Sequence, residues 1–242
     1  MTKLIIIGFL GGIPAGLLGL GGGVLFIPLM VYIAKLEMKE ITGVSSMAVA
    51  IVASIGSIRY GIKGYGVEPF IPYLIIGGII GALAGNKINT GLNNNALKKI
   101  FSIVLFITAL RMNYIISTAD MTMGNMFVFI AIGFVSGILA GLLGLGGGVV
   151  RIPGLLIFAG LPSLVAQGAS LITSVPTAIA AAYPKVKGNK AKIREGWALG
   201  GGGSLGVVIG SEIAFNLGDN SLRTIFSYFL FIVAIKMFFE KN

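Results

Sequence analysis

The chain has 242 residues, of which 56% are apolar and only 11% charged, with a formal charge of +10 and a mean hydropathy of +0.98. A soluble domain carries about 25% charged residues, so the deficit of charge excludes an ordinary cytosolic globule and places the chain in a lipid bilayer, where the basic residues read as anchors of cytoplasmic loops and not as a nucleic-acid surface. With no Cys and no His, thiolate nucleophiles, disulfides, Ser-His-Asp triads and the usual zinc, haem and copper ligands are excluded.

In chain order, the first segment, MTKLIIIGFLGG, has the basic start and apolar run of a signal peptide but no A-x-A-like site, and it recurs later, so it is expected to be retained. Residues 4–34 form an apolar run of some 31 residues. As one helix it would be ~46 Å long, too long for one ordinary span and too short for two. LGLGGG interrupts it, and several consecutive glycines discourage helix. Three ordinary spans are predicted next, at 41–61, 69–90 and 96–116. The same series then repeats, with a broken run at 126–159 and spans at 166–186, 194–215 and 221–239.

The repetition is literal. Gly16 to Pro28 reads GLLGLGGGVLFIP and Gly141 to Pro153 reads GLLGLGGGVVRIP, identical at 11 of 13 positions at an offset of 125. The same offset pairs Gly43 and Ser45 with Gly168 and Ser170, and Gly81 and Gly85 with Gly206 and Gly210. The expected architecture is therefore an all-α integral membrane protein of two repeats, 1–120 and 121–242, each a Gly-broken helical hairpin followed by three spans. Duplication with broken helices is a signature of secondary transporters.

Charge chooses the topology. If each broken segment enters and leaves on one side, the repeats are inverted and the basic residues other than Arg151 divide 13 to 4 between the two sides; a single crossing per segment divides them 11 to 6. The positive-inside rule favours the first, with both termini cytoplasmic in the cell membrane.

Non-helical backbone at membrane depth survives only where protein or a water-filled cavity satisfies it. The two tips, Gly21, Gly22, Gly23 and Val24 in one copy and Gly146, Gly147, Gly148 and Val149 in the other, are expected to line such a cavity. Pro28 and Pro153 are read as lying near the first turn of new half-helices, where a missing N–H costs little. Their free N–H groups and positive dipole ends then suit an anion. Arg151 breaks the symmetry, since its counterpart is Phe26. An intramembrane Arg is costly and should face a cavity or partner; a bound oxyanion suits guanidinium, and snorkelling or bonds to backbone carbonyls are the alternative. The following helices add Thr42 and Gln167 at matched positions, Ser45 and Ser170, then Ser46 in one copy and Thr173 and Ser174 in the other. Gly77, Gly78, Gly81 and Gly85, with Gly202, Gly203, Gly206 and Gly210, are assigned to close helix packing. Tyr60, Tyr65, Tyr73, Tyr183 and Trp197 are read as interface anchors.

The doubled GLLGLGGGV-x-x-IP motif, each copy followed by Gly43 to Ser45 or Gly168 to Ser170, resembles the TauE/SafE permease family, the sulfite exporters, over nearly the whole chain. The resemblance implies transport of small anions such as sulfite, sulfonates, sulfoacetate or related organic anions. A departure is the low acid content, which leaves little for a carboxylate-based proton or sodium relay. The expected partners are a small anionic substrate and the bilayer, without nucleic acid or cofactor, and with a homodimer left open. An anion channel with the same donors and a non-transporting membrane scaffold are the alternatives; an enzyme is not expected.

Overall fold

The computed structural model describes residues 1–113 and 126–238. The expected boundary between repeats at 120/121, the last residues of the spans at 96–116 and 221–239, and Asp120, Glu240 and Lys241 lie outside the described residues.

Among the described residues the fold is all helical. The helices are α1 (Thr2–Leu18), α2 (Gly23–Leu29, continued by a wide π-type turn, Met30–Ala34), α3 (Met38–Ile62), α4 (Ile71–Gly91) and α5 (Asn94–Asn113), then α6 (Met126–Leu143), α7 (Gly148–Phe158), α8 (Ser163–Val186), α9 (Lys190–Phe215) and α10 (Asp219–Phe238). Five of these, α3, α4, α6, α8 and α9, are long and apolar enough to cross a membrane.

Both broken runs divide where the glycines stand. Gly22 (φ 93°) and Gly147 (φ 84°) precede α2 and α7 in the left-handed region, a conformation costing roughly 1–2 kcal/mol for a residue with a Cβ. The chain then doubles back. A Cβ at Gly11 would lie 2.6 Å from the Phe26 ring, and one at Gly154 would lie 3.1 Å from Ile132. The arms are unequal: α1 has 17 residues and α2 with its π-type turn 12. Pro28 and Pro153 fall inside α2 and α7 as the sixth residue, one turn deeper than expected. Proline there removes an interior hydrogen bond and crowds the preceding turn; in the first copy the helix widens into its π-type turn two residues later.

Glycine contacts give the register. Gly8 of α1 meets Leu199 and Gly203 of α9, and Gly16 meets Val207 and Ser211, so the two helices run parallel. By the same test α6 runs parallel to α4, with Gly133 against Leu74 and Gly141 against Ala82 and Asn86. Met47 and Ile51 of α3 lie against Gly196 and Gly200, so α3 also runs with α9; Gly43 lies by Lys185 and Gly56 by Leu171, so α3 and α8 are antiparallel. Contacts recur with partners exchanged at the offset of 125. Phe106 and Phe231, which correspond to each other at that offset, stack at 6.1 Å.

The glycines assigned to close packing behave as expected: a Cβ at Gly77, Gly81, Gly85, Gly202, Gly206 or Gly210 would collide with a carbonyl oxygen of the facing helix. Adjacent residues make a controlled test. A Cβ at Gly202 strikes the backbone of Ile5, while one at Gly201 meets nothing within 4 Å. Gly202→Ala should lower thermal stability in detergent by about 1–3 kcal/mol, and Gly201→Ala should leave it unchanged or raise it by up to ~1 kcal/mol.

One aromatic assignment is corrected. Tyr183 and Trp197 are 61% and 60% exposed, as anchors are, but Tyr60 is fully buried. Its hydroxyl lies 2.8 Å from Gly16 O and 2.7 Å from Gln167 Oε1, because the last turn of α1 leaves buried carbonyls without an N–H partner in the helix.

Candidate functional site

The two tips meet in the centre of the fold. Gly23 sits against the backbone of Leu145, Gly148 against that of Leu20, and Gly21 and Gly146 both face Val49 near the middle of α3. The half-helix ends overshoot this meeting point in opposite directions, with Gly16 by Tyr60 and Gly144 by Thr42. All of the sequence-predicted site residues are buried. The reason is the glycines themselves: without Cβ atoms the two backbones come into direct contact.

Each repeat ties down the half-helix of the other. Ser45 Oγ donates to Gly144 O at 2.8 Å, and Ser170 Oγ donates to Gly19 O at 3.1 Å. Gln167 lies behind Gly19, its side-chain amide 2.7 Å from the Tyr60 hydroxyl. Lys185, the counterpart of Tyr60, donates through Nζ to Gly141 O, the counterpart of Gly16 O. Asn89 Nδ2 adds a bond to Leu142 O at 2.6 Å. Thus a hydroxyl in one copy and an ammonium in the other complete the carbonyl-bearing end of a half-helix, where positive charge is favoured. Ser46 and Thr173 stand apart. Their hydroxyls donate within their own helices, to Thr42 O and Ala169 O, both at 2.7 Å.

Arg151 carries the electrostatics. It projects from the first turns of α7 and is 0% exposed. Nε donates to Ser136 Oγ at 3.2 Å, and Nη1 donates to Ser170 O and Ser174 Oγ, both at 3.0 Å. Those hydroxyls are themselves committed, Ser136 to Gly133 O at 2.9 Å and Ser174 to Gly146 O at 3.1 Å. Nη2 lies beside Gly147 and has no hydrogen-bond partner. Among the described residues no carboxylate pairs with Arg151; the ion pair found there joins Arg59 to Glu212. A buried guanidinium with two free hydrogens and no countercharge is costly unless an anion completes it. The first two N–H groups of α7, those of Gly148 and Val149, begin at the same tip and have no acceptor within the helix, whereas those of Val150 and Arg151 donate to Gly147 O.

Ser136 was missed by sequence reasoning, and Ser174 was weighed but not placed on the site. A signal for both exists in the repeat: Ser136 corresponds to Gly11 and Ser174 to Val49, so the second copy gains hydroxyls where it gains the charge.

Comparison with known proteins supplies the family. The model of the family described as sulfite exporter TauE/SafE matches residues 1–112 and 129–242. The chain belongs to that family. It is 32% identical over 162 residues to a "Probable membrane transporter protein" of Methanocaldococcus jannaschii, covering 63% of this chain and 60% of the relative. A "Probable membrane transporter protein" of Xylella fastidiosa is 27% identical over 172 residues, covering 68% of this chain and 66% of its own. One of Bacillus subtilis, "Probable membrane transporter protein YunE", is 26% identical over 196 residues, with 69% and 71% covered. The chain thus spans under two thirds of the first two relatives' length.

Proposed function

We propose that this member of the TauE/SafE family is a secondary carrier of small oxyanions, such as sulfite, sulfoacetate and other sulfonates or related organic anions, working by alternating access around the two Gly-rich tips. The observation that carries the reading is Arg151, fully buried with Nη2 unpartnered at the broken end of α7. Gly146, Gly147, Gly148, Val149 and Arg151 form the anion-facing wall. Gly21, Gly22, Gly23 and Val24 close it from the opposite copy, and Ser45 and Ser170 hold the two half-helices in place. Counterflow in proteoliposomes tests this: saturable exchange of labelled sulfite or methanesulfonate is expected, whereas flux without saturation or counterflow would identify a channel, and no flux with either anion would discard transport of this class.

The topology that goes with this reading is a pair of inverted repeats with re-entrant hairpins and cytoplasmic termini. Its support is direction: α1 runs with α9 and α9 with α3, as a hairpin that returns to its own side requires, and α3 runs against its counterpart α8. Glu37 and Ile62 are both exposed, at opposite ends of α3. In this Cys-free background, Glu37→Cys should react with an impermeant thiol reagent only from the cytoplasmic face, and Ile62→Cys only from outside. The opposite pattern would overturn inverted repeats with cytoplasmic termini.

A further inference from the structure

The two tips are near-identical in sequence but differ in chemistry around three pairs of corresponding positions, Phe26 and Arg151, Gly11 and Ser136, and Val49 and Ser174. In the second copy Arg151 leans on Ser136 and Ser174. In the first copy the corresponding residues are Phe26, Gly11 and Val49. There the Phe26 ring, 0% exposed, fills the equivalent space: it lies where a Cβ at Gly11 or Gly22 would be, at 2.6 and 2.5 Å. Val49 presents a methyl to both tips, where Ser174 donates to Gly146 O. One copy is therefore built around a guanidinium and hydroxyls, and the other is closed by an aromatic plug in a bed of glycines.

Resting on the carrier reading above and narrowing it, we propose that each chain binds a single oxyanion, at the second tip only, and that this anion is monovalent, which within the proposed class selects hydrogensulfite and monosulfonates over the dianion sulfoacetate. The anion accepts from both hydrogens of Arg151 Nη2 and from the N-terminal N–H groups of α7, while Ser136 and Ser174, with the Ser170 carbonyl, fix the guanidinium plane so that Nη2 alone faces it. One fixed positive charge neutralises one negative charge. A dianion would keep an unmatched charge buried beside Arg151, which is itself 0% exposed, and that is strongly unfavourable. The next cation along α8, Lys185, lies eleven residues beyond Ser174, about 16 Å of helix, and is committed to Gly141 O. The first tip offers an anion no charged or hydroxyl donor at the matching positions.

Binding measured on the purified full chain in nanodiscs tests this, with methanesulfonate and sulfate as probes of similar oxygen geometry and different charge. The expected result is one methanesulfonate per chain, with sulfate at least ten-fold weaker. Arg151→Lys, which keeps the charge but loses the fork, should weaken methanesulfonate at least ten-fold while leaving its preference over sulfate. Two sites per chain, or sulfate bound as tightly as methanesulfonate, would overturn the single monovalent site and leave the carrier reading standing. One site whose affinity is unchanged in Arg151→Lys would move the anion away from the second tip. Absence of saturable binding by methanesulfonate, sulfate, sulfite and sulfoacetate alike would overturn the carrier reading as well.

Discussion

Arg151→Gln should abolish saturable oxyanion exchange while leaving the protein folded. Removing one partner of a buried, hydrogen-bonded charge pair costs about 2–5 kcal/mol, or roughly 30- to 3,000-fold in affinity. The free protein should not lose stability in proportion. Ser136 and Ser174 keep their bonds to Gly133 O and Gly146 O, and the variant removes a buried charge that has no countercharge among the described residues. Two measurements check this together. In anion-free buffer the melting temperature should be little changed, whereas the anion-induced rise should vanish. That rise corresponds to about 2.7 kcal/mol for an anion at 100 times its Kd, or roughly 5 °C or more for a chain of this size. Wild-type exchange and an undiminished anion-induced rise in the variant would remove Arg151 from the site.

Gly147→Val should be the most damaging single change at the tips. The residue has φ 84°, and a Cβ there would lie 2.6 Å from Ser136 O and 3.0 Å from Arg151 Nη2. Backbone strain of roughly 1–2 kcal/mol is compounded by overpacking of similar size, and a branched side chain would push the guanidinium out of its plane. A loss of about 3 kcal/mol or more in stability, with loss of anion exchange, is expected. Gly21→Ala makes a graded comparison: φ is 71°, but the nearest atom to its Cβ is a Val49 methyl at 3.1 Å. It should cost only the strain, about 1–2 kcal/mol, and retain exchange. Equal effects at both positions would show that backbone strain alone decides, and that the space beside Arg151 does not matter.

Much of the architecture was legible because it rests on local or repeated features. Hydropathy fixes where helices can lie, since a bilayer forbids unsatisfied backbone. Consecutive glycines mark the breaks at Gly21 to Gly23 and Gly146 to Gly148. The offset of 125 transfers the helix and glycine-break assignments from one half to the other. Packing glycines such as Gly81 and Gly206 were recognisable from small-residue spacing, which is a property of one helix face. The position of Pro28 and Pro153 was misread by one turn, because where a half-helix begins is set by the left-handed Gly22 and Gly147 and not by the proline. Tyr60 was misread as an anchor because its sequence position near the end of a span is the same whether the ring faces lipid or a neighbouring half-helix.

For the site, the sequence alone established the residue types: paired glycine breaks, one intramembrane arginine and no acid in the apolar runs to neutralise it. Contact between residues far apart in the chain settled the rest. That Ser45 holds Gly144 and Ser170 holds Gly19, that Ser136 and Ser174 orient Arg151, and that Phe26 fills the first tip all depend on helices crossing between the two halves. Hydropathy and periodicity assign a residue to a helix, but a bilayer gives every apolar helix the same surroundings. Which face meets which neighbour is decided only when side chains and bare backbone pack together.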